Sequence, residues 1–292
     1  MNTAQRKQLK GHLFALFSVT AWGTSFLISK NLMMDLSPVQ LMFLRFVIAW
    51  LAVWVIHPKW HFHWREEGQF LLLSLIGNTL YFLSENTALR MTLASNVSIL
   101  VSSAPIFSAL MLRAFGKSER LSRQEGAGIV IAFLGVLLVV FNGVFVLKLN
   151  PVGDLLATAA AVFWALYGFL AKRSLEKFDS FLITRKLMFY GILTTAPMLL
   201  FDGGSSIRLG FGDLCGLLYL GLICSAVCYL LWNEAIAGIG AMKTNLYVYF
   251  VPVVTMLASG IFLKEQITAA GVAGVALVIG GMILSSLKKQ PS

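Results

Sequence analysis

Residues 11–30, GHLFALFSVTAWGTSFLISK, and residues 153–172, GDLLATAAAVFWALYGFLAK, decide the fold. Each has the roughly 20 predominantly apolar residues that a helix needs to cross a bilayer. Laid on one another with a shift of 142, they pair Gly11 with Gly153, Leu13 with Leu155, Ala15 with Ala157, Trp22 with Trp164 and Lys30 with Lys172. The match continues in order along the chain. A shift of 147 pairs Asn86, Ala88, Ala94, Pro105 and Lys117 with Asn233, Ala235, Ala241, Pro252 and Lys264, and a shift of 145 pairs Gly126 and Gly135 with Gly271 and Gly280. Leu and Ala coincide cheaply between apolar helices. Trp, Asn, Pro and Lys in one register over five helices imply a duplication, with halves at 1–148 and 149–292.

The rest of the sequence agrees with a chain that is mostly membrane. Of its 292 residues 58% are hydrophobic and 12% charged, against about 25% charged in soluble domains. Apolar runs lie at His12–Met33, Val39–Ile56, Gln69–Leu89, Ser95–Phe115, Gln124–Phe141, Gly153–Ala171, Ser180–Phe201, Asp213–Ala237, Thr244–Leu263 and Thr268–Ser286. We number them helices 1 to 10. Short breakers separate them, such as Leu36-Ser37-Pro38 and Leu149-Asn150-Pro151. The first run is too long for a signal peptide and lacks a small-residue cleavage site, so it counts as helix 1. The expected fold is therefore an all-α membrane protein of ten transmembrane helices in two five-helix repeats around a central cavity.

Five helices per copy is an odd number, so the second copy enters the membrane from the opposite side and the repeat is inverted. Inverted repeats are the architecture of secondary transporters, with a substrate site near the midplane between the copies. Charge sets the sidedness. With the N-terminus inside, seventeen of the 23 Lys and Arg lie in cytoplasmic segments and five outside, with Arg45 inside helix 2. Both termini are thus expected in the cytoplasm. Basic residues confined to short interhelical gaps are topology signals, so the net charge of +10 does not point to nucleic acid.

Several motifs carry a family resemblance: Trp22-Gly23-Thr24-Ser25-Phe26 with Lys30, the stretch from Pro38 to Arg45-Phe46, and the twin endings Pro105 to Glu119 and Pro252 to Glu265, each followed by a Gly-rich helix. Together they resemble the drug/metabolite transporter superfamily, in particular its ten-helix EamA-type exporters, and among these the YddG-type exporters of aromatic and other amino acids. The resemblance implies a multi-pass protein of a bacterial inner membrane that exports amino acids or similar small metabolites. It further implies that helices 1, 3, 4, 6, 8 and 9 surround the cavity while helices 5 and 10 pack peripherally. The expected partners are a small-molecule substrate and the lipid bilayer, the chain being a monomer or weak homodimer. No cofactor and no catalytic residue is implied.

The candidate substrate-binding residues are Trp22, Ser25, Asn78, Tyr81, Glu85, Trp164, Asn245 and Tyr249. Ser74, Asn78, Tyr81 and Glu85 are spaced by four, three and four, which places them on one helical face. A polar stripe is costly in lipid, so it lines a water-filled cavity or bonds to other helices. Asn245 and Tyr249 continue that pattern in helix 9, as do Trp22 and Ser25 in helix 1. Trp22 and Trp164 fall near mid-depth, away from the interface that tryptophan prefers; facing each other they form an aromatic box. Pro105 and Pro252 each free a carbonyl one turn earlier and are candidate hinges. Glu85 and Glu234 either bind an ammonium group or reach for the interface. Arg45 either pairs with a helix-end carbonyl or acid or holds a substrate carboxylate.

Other features are weaker. Gly116-Lys117-Ser118 has Met111 where a phosphate loop needs its first glycine. His57, His61 and His63 alternate with Trp60, Phe62 and Trp64 and read as an interfacial aromatic belt, not a metal site. Cys224 and Cys228 read as small packing residues, and Gly128 with Ala132 and Ala270 with Gly274 as close-packing positions within one molecule. Two rivals remain: a passive channel of the same fold, which shows no counterflow, and a metal-dependent membrane enzyme built on the three histidines, which a chelator would stop.

Overall fold

The computed structural model describes residues 3–58, 61–92, 94–115, 122–141, 150–202, 209–262 and 266–286. The stretch Gly116-Lys117-Ser118, Lys264 and the join between the halves at 148–149 lie outside them. The described residues form helices and no strand. Helix 1 is Thr3–Leu32, helix 2 Pro38–Ile56, helix 5 Arg123–Phe141, helix 6 Pro151–Ser174, helix 7 Ser180–Leu199 and helix 10 Ala269–Ser286. The other four are compound. Helix 3 joins Trp64–Ser74, a π-helical segment Leu75–Leu80 and Tyr81–Met91; helix 4 joins Ala94–Val101 and Ala104–Phe115. Helix 8 joins Phe211–Leu218, a π-helical segment Tyr219–Val227 and Cys228–Ile239; helix 9 joins Ala241–Leu246, a 3-10 turn Tyr247–Tyr249 and Phe250–Phe262. Helices 1 and 3 begin earlier than their apolar runs, since a helix continues past the membrane boundary through Arg6, Lys7 and Lys10 or Arg65 and Glu66.

Local chemistry places the starts. Ser37 accepts from the Gln40 amide at 3.0 Å while the Gln40 side chain accepts from the Ser37 amide at 2.9 Å, and Pro38 fills the first helical position. Asp179 caps helix 7 through the Leu182 amide at 2.8 Å, at the place in the second half that Ser37 holds in the first. Asn150 caps helix 6 through Gly153 at 3.0 Å. Such caps are worth about 1 kcal/mol each.

The repeat is visible in the irregularities. A shift of 147 carries the π segment Leu75–Leu80 into that of helix 8, and carries the break of helix 4 at Ser102 and Ser103 to within two residues of the 3-10 turn of helix 9. Each helix 4 and 9 break precedes a proline, Pro105 or Pro252, whose missing amide leaves a carbonyl without its helical donor.

Seven helices are long and apolar enough to cross a membrane on hydropathy alone; 3, 7 and 10 are the exceptions. Helix 10 offers 17 residues by that measure. Helices 3 and 7 score low because they share a buried polar interface. Lys186 donates to Glu67 at 2.6 Å, as does the Tyr190 hydroxyl, Thr79 meets Thr194 at 2.6 Å, and Ser74 and Asn78 both donate to the Leu187 carbonyl. Polar groups matched helix to helix need no water, which makes such a face tolerable in lipid.

Helices 5 and 10 pack against each other at the edge. A Cβ on Gly135 would lie 2.6 Å from the Gly274 carbonyl oxygen, and one on Gly128 2.5 Å from that of Gly281, so only glycine permits this approach. The close packing expected of these helices is thus made within one chain. Helices 1, 2, 3, 4, 6, 7, 8 and 9 supply the central core.

Candidate functional site

Where the two halves meet, helices 1, 2, 3, 4, 6, 8 and 9 enclose a cavity of about 40 Å³. That volume admits about three waters. Trp22, Ser25 and Phe26 line it from helix 1, Arg45 from helix 2, and Tyr81, Phe82 and Glu85 from helix 3. Val101 and Ser102 come from helix 4, Trp164 from helix 6, Tyr229 from helix 8, and Val248 and Val251 from helix 9.

The aromatic rings form one connected cluster. Trp22 and Trp164 meet edge to face, centroids 5.2 Å apart at 87°, and Trp164 lies 5.0 Å from Tyr81 and 5.8 Å from Tyr229. Such contacts add about 0.5 to 1.5 kcal/mol each beyond burial. The π segments hold the rings in place. Trp22 Nε1 donates to the Cys224 carbonyl at 2.9 Å, and the Tyr229 hydroxyl donates to the Gly77 carbonyl at 2.9 Å. Cys224 and Gly77 are repeat equivalents, each inside a π segment, and wide π turns recur at functional sites.

The polar groups are few. The Tyr81 hydroxyl donates to Glu85 Oε1 at 2.7 Å, and Ser25 bonds back to the Trp22 carbonyl at 2.8 Å. Arg45 Nε donates to Ser225 Oγ at 2.9 Å, and the guanidinium lies over the Phe82 ring, 4.2 Å from its centroid.

Of the eight residues singled out from the sequence, Trp22, Ser25, Tyr81, Glu85 and Trp164 meet in this cavity. Three do not. Asn78 is fully buried and donates to the Leu187 carbonyl at 3.0 Å, because the π segment that contains it breaks the α-helical period that put it and Tyr81 on one face. Asn245 donates to Ser108 Oγ at 2.5 Å, beneath the cavity. Tyr249, fully buried, turns to helix 5 and Phe133, since the 3-10 turn winds it away and leaves Val248 and Val251 on the cavity side. Glu234 is exposed. Pro105 and Pro252 are buried in helices 4 and 9, next to the lining residues Ser102 and Val251. Sequence reasoning left Arg45 undecided and missed Phe82 and Tyr229; the signal for these two was available, for they are repeat equivalents.

A second, wider space of about 480 Å³ opens at the end of the bundle where helix 1 begins, lined by Ser108, Leu112, Ala165, Phe169, Lys172 and Lys243 among others. Ser108 borders this vestibule, while Trp164 and Val248, one residue from Ala165 and three from Asn245, border the cavity. The Asn245–Ser108 bond ties helix 9 to helix 4 at the wall of this vestibule.

The histidines do not act as a trio. His61, His63 and Glu66 bring one ligand atom each to within 4.8 Å of one another, His61 Nε2 lying 2.7 Å from Glu66 Oε2, whereas His57 stacks on Phe181. All of them lie outside the cavity. Cys224 and Cys228 are free and buried.

The sequence matches the EamA-like transporter family twice, over residues 9–141 and 151–287. An uncharacterized transporter of Archaeoglobus fulgidus is 30% identical over 96% of this chain and 100% of its own length. A probable amino-acid metabolite efflux pump of Escherichia coli is 24% identical over 94% of both chains, and its counterpart from Salmonella typhimurium 25% over the same shares. A solved crystal structure superposes with a TM-score of 0.81 over 96% of this chain and 97% of the other at 16% identity, a likeness of fold.

Proposed function

The chain belongs to the EamA-like transporter family, and from that premise we propose that it is a secondary transporter exporting aromatic and other neutral amino acids, or similar small metabolites, by alternating access. The observation that carries this reading is a cavity lined by both halves, with six aromatic rings among its thirteen lining residues and with one carboxyl and one guanidinium group. An amino acid brings an apolar side chain for the rings and a head whose charges must exchange water for protein partners at depth. Two relatives bearing the name of amino-acid metabolite efflux pumps support the substrate class and the direction.

The pseudo-symmetry supplies the motion. In an inverted repeat, exchanging the conformations of the two halves converts one open side into the other. The Asn245–Ser108 tie has an inverted counterpart in Ser98 and Thr255, each 147 residues away. Here Thr255 bonds instead to the Gly23 carbonyl at 2.7 Å, and the buried Ser98 hydroxyl has no partner among the described residues. On this reading the exchange breaks Asn245–Ser108, opens the cavity to the vestibule and joins Ser98 to Thr255. The positive-inside count makes the vestibule end cytoplasmic.

The direct test is an uptake panel in proteoliposomes across amino acids, nucleosides and quaternary amines, with and without a pH gradient. Saturable uptake of neutral amino acids is the expected result. Transport of nucleosides or quaternary amines with none of amino acids would overturn the assignment.

A further inference from the structure

Both charged groups of the cavity belong to one half. The repeat equivalent of Arg45 is Leu187 and that of Glu85 is Trp232, so helices 2 and 3 carry the charge while the matching places in helices 7 and 8 are apolar. The two groups are not spent on each other. Arg45 and Glu85 lie within electrostatic reach, yet no ion pair joins them among the described residues. Glu85 takes its hydrogen bond from Tyr81.

Arg45 is 2% exposed and lies at the cavity wall. Its Nε is fixed by Ser225 and its plane by Phe82. Among the described residues that Nε bond is the only hydrogen bond it makes, which leaves its two terminal amino groups for a ligand. A guanidinium presents parallel donors that match a carboxylate in a bidentate pair, and a buried guanidinium without a counter-charge is costly. The anchoring bond is itself part of the duplicated design, for Ser225 is the repeat equivalent of Asn78, which makes the matching contact to Leu187 in the other half. The first half has placed a cation where the second has leucine.

We infer that Arg45 is the carboxylate anchor of the site, and that the cavity selects ligands bearing a carboxylate and an ammonium together, held between Arg45 and Glu85 with the side chain toward Trp164 and Tyr229. This deepens the amino-acid reading and rests on it. A ligand with both charges leaves the site neutral. One lacking the carboxylate leaves the guanidinium buried and unpaired, which makes the discrimination steep.

The test measures binding to the purified protein in nanodiscs of L-phenylalanine, 2-phenylethylamine, which lacks the carboxylate, and 3-phenylpropionate, which lacks the ammonium. The wild type should bind phenylalanine more tightly than either. Arg45→Gln should weaken phenylalanine and phenylpropionate by about tenfold or more and leave phenylethylamine within about twofold. Ser225→Ala, which keeps the charge and frees it, should weaken phenylalanine less than Arg45→Gln does. If Arg45→Gln fails to give a cooperative melt, Arg45→Lys serves in its place, with a smaller loss on phenylalanine and none on phenylethylamine. Wild-type affinity for phenylalanine in the folded arginine variant, or an equal loss on phenylethylamine, overturns the anchor alone. A wild type that binds none of the three overturns the amino-acid reading, and the anchor with it.

Discussion

Tyr81 and Trp164 face each other across 5.0 Å, one from each half, and under the proposed function they set between them what kind of side chain the cavity welcomes. Truncating Trp164 removes a ring wall without touching Arg45 or Glu85; truncating Tyr81 also removes the hydroxyl that donates to Glu85, a loss shared by every ammonium-bearing ligand. Tyr81→Ala and Trp164→Ala should therefore weaken aromatic substrates more than alanine or serine, by roughly 1 to 3 kcal/mol if the stacking of a base on an aromatic side chain is a fair guide; competition binding with phenylalanine and alanine checks it. Equal losses on both ligands would mean that the rings only support the fold. At this scale the sequence spoke clearly where a residue type was out of place: a mid-depth tryptophan, a carboxyl in an apolar run, an arginine inside a helix. It misled where a polar residue had a neighbour that no spacing reveals. Asn78 looks like a cavity residue until Leu187 of helix 7 is beside it, and Tyr249 until Phe133 is.

At the scale of the element, the errors have one source. Ser74, Asn78, Tyr81 and Glu85 share a face only if helix 3 keeps 3.6 residues per turn, and the π segment Leu75–Leu80 does not. Part of that stripe consequently serves the interface with helix 7 and part the cavity. Apolar periodicity carries no signal for a π turn, whereas proline does mark a break, and helices 4 and 9 are interrupted just before Pro105 and Pro252. The Asn245–Ser108 tie also joins these two helices. Pro105→Ala and Pro252→Ala restore a backbone donor and stiffen the break. Transport rate should fall while substrate affinity changes little, read as initial rates against equilibrium binding. Unchanged turnover in both variants would leave the prolines as determinants of shape only.

For the whole molecule, the duplication was legible from Trp22 and Trp164, Asn86 and Asn233, Pro105 and Pro252, because such residues seldom coincide by chance in apolar helices. Its inversion followed from counting to five. The charged asymmetry of the halves follows from the same shifts, but its meaning was not legible, since Arg45 gains it only from Ser225, Phe82 and the cavity beside it. Sidedness has its own check: reporter tags at Ser292 and within residues 120–124 should report cytoplasm and a tag at Gly204 the outside, and two of the three on the opposite side would defeat the inverted arrangement. Alternating access itself is tested most directly by counterflow. Proteoliposomes preloaded with unlabelled phenylalanine should transiently accumulate labelled phenylalanine above the outside concentration, because a carrier returns loaded; labelled substrate that only equilibrates, with no overshoot at any preload, would contradict the account and make the cavity a pore.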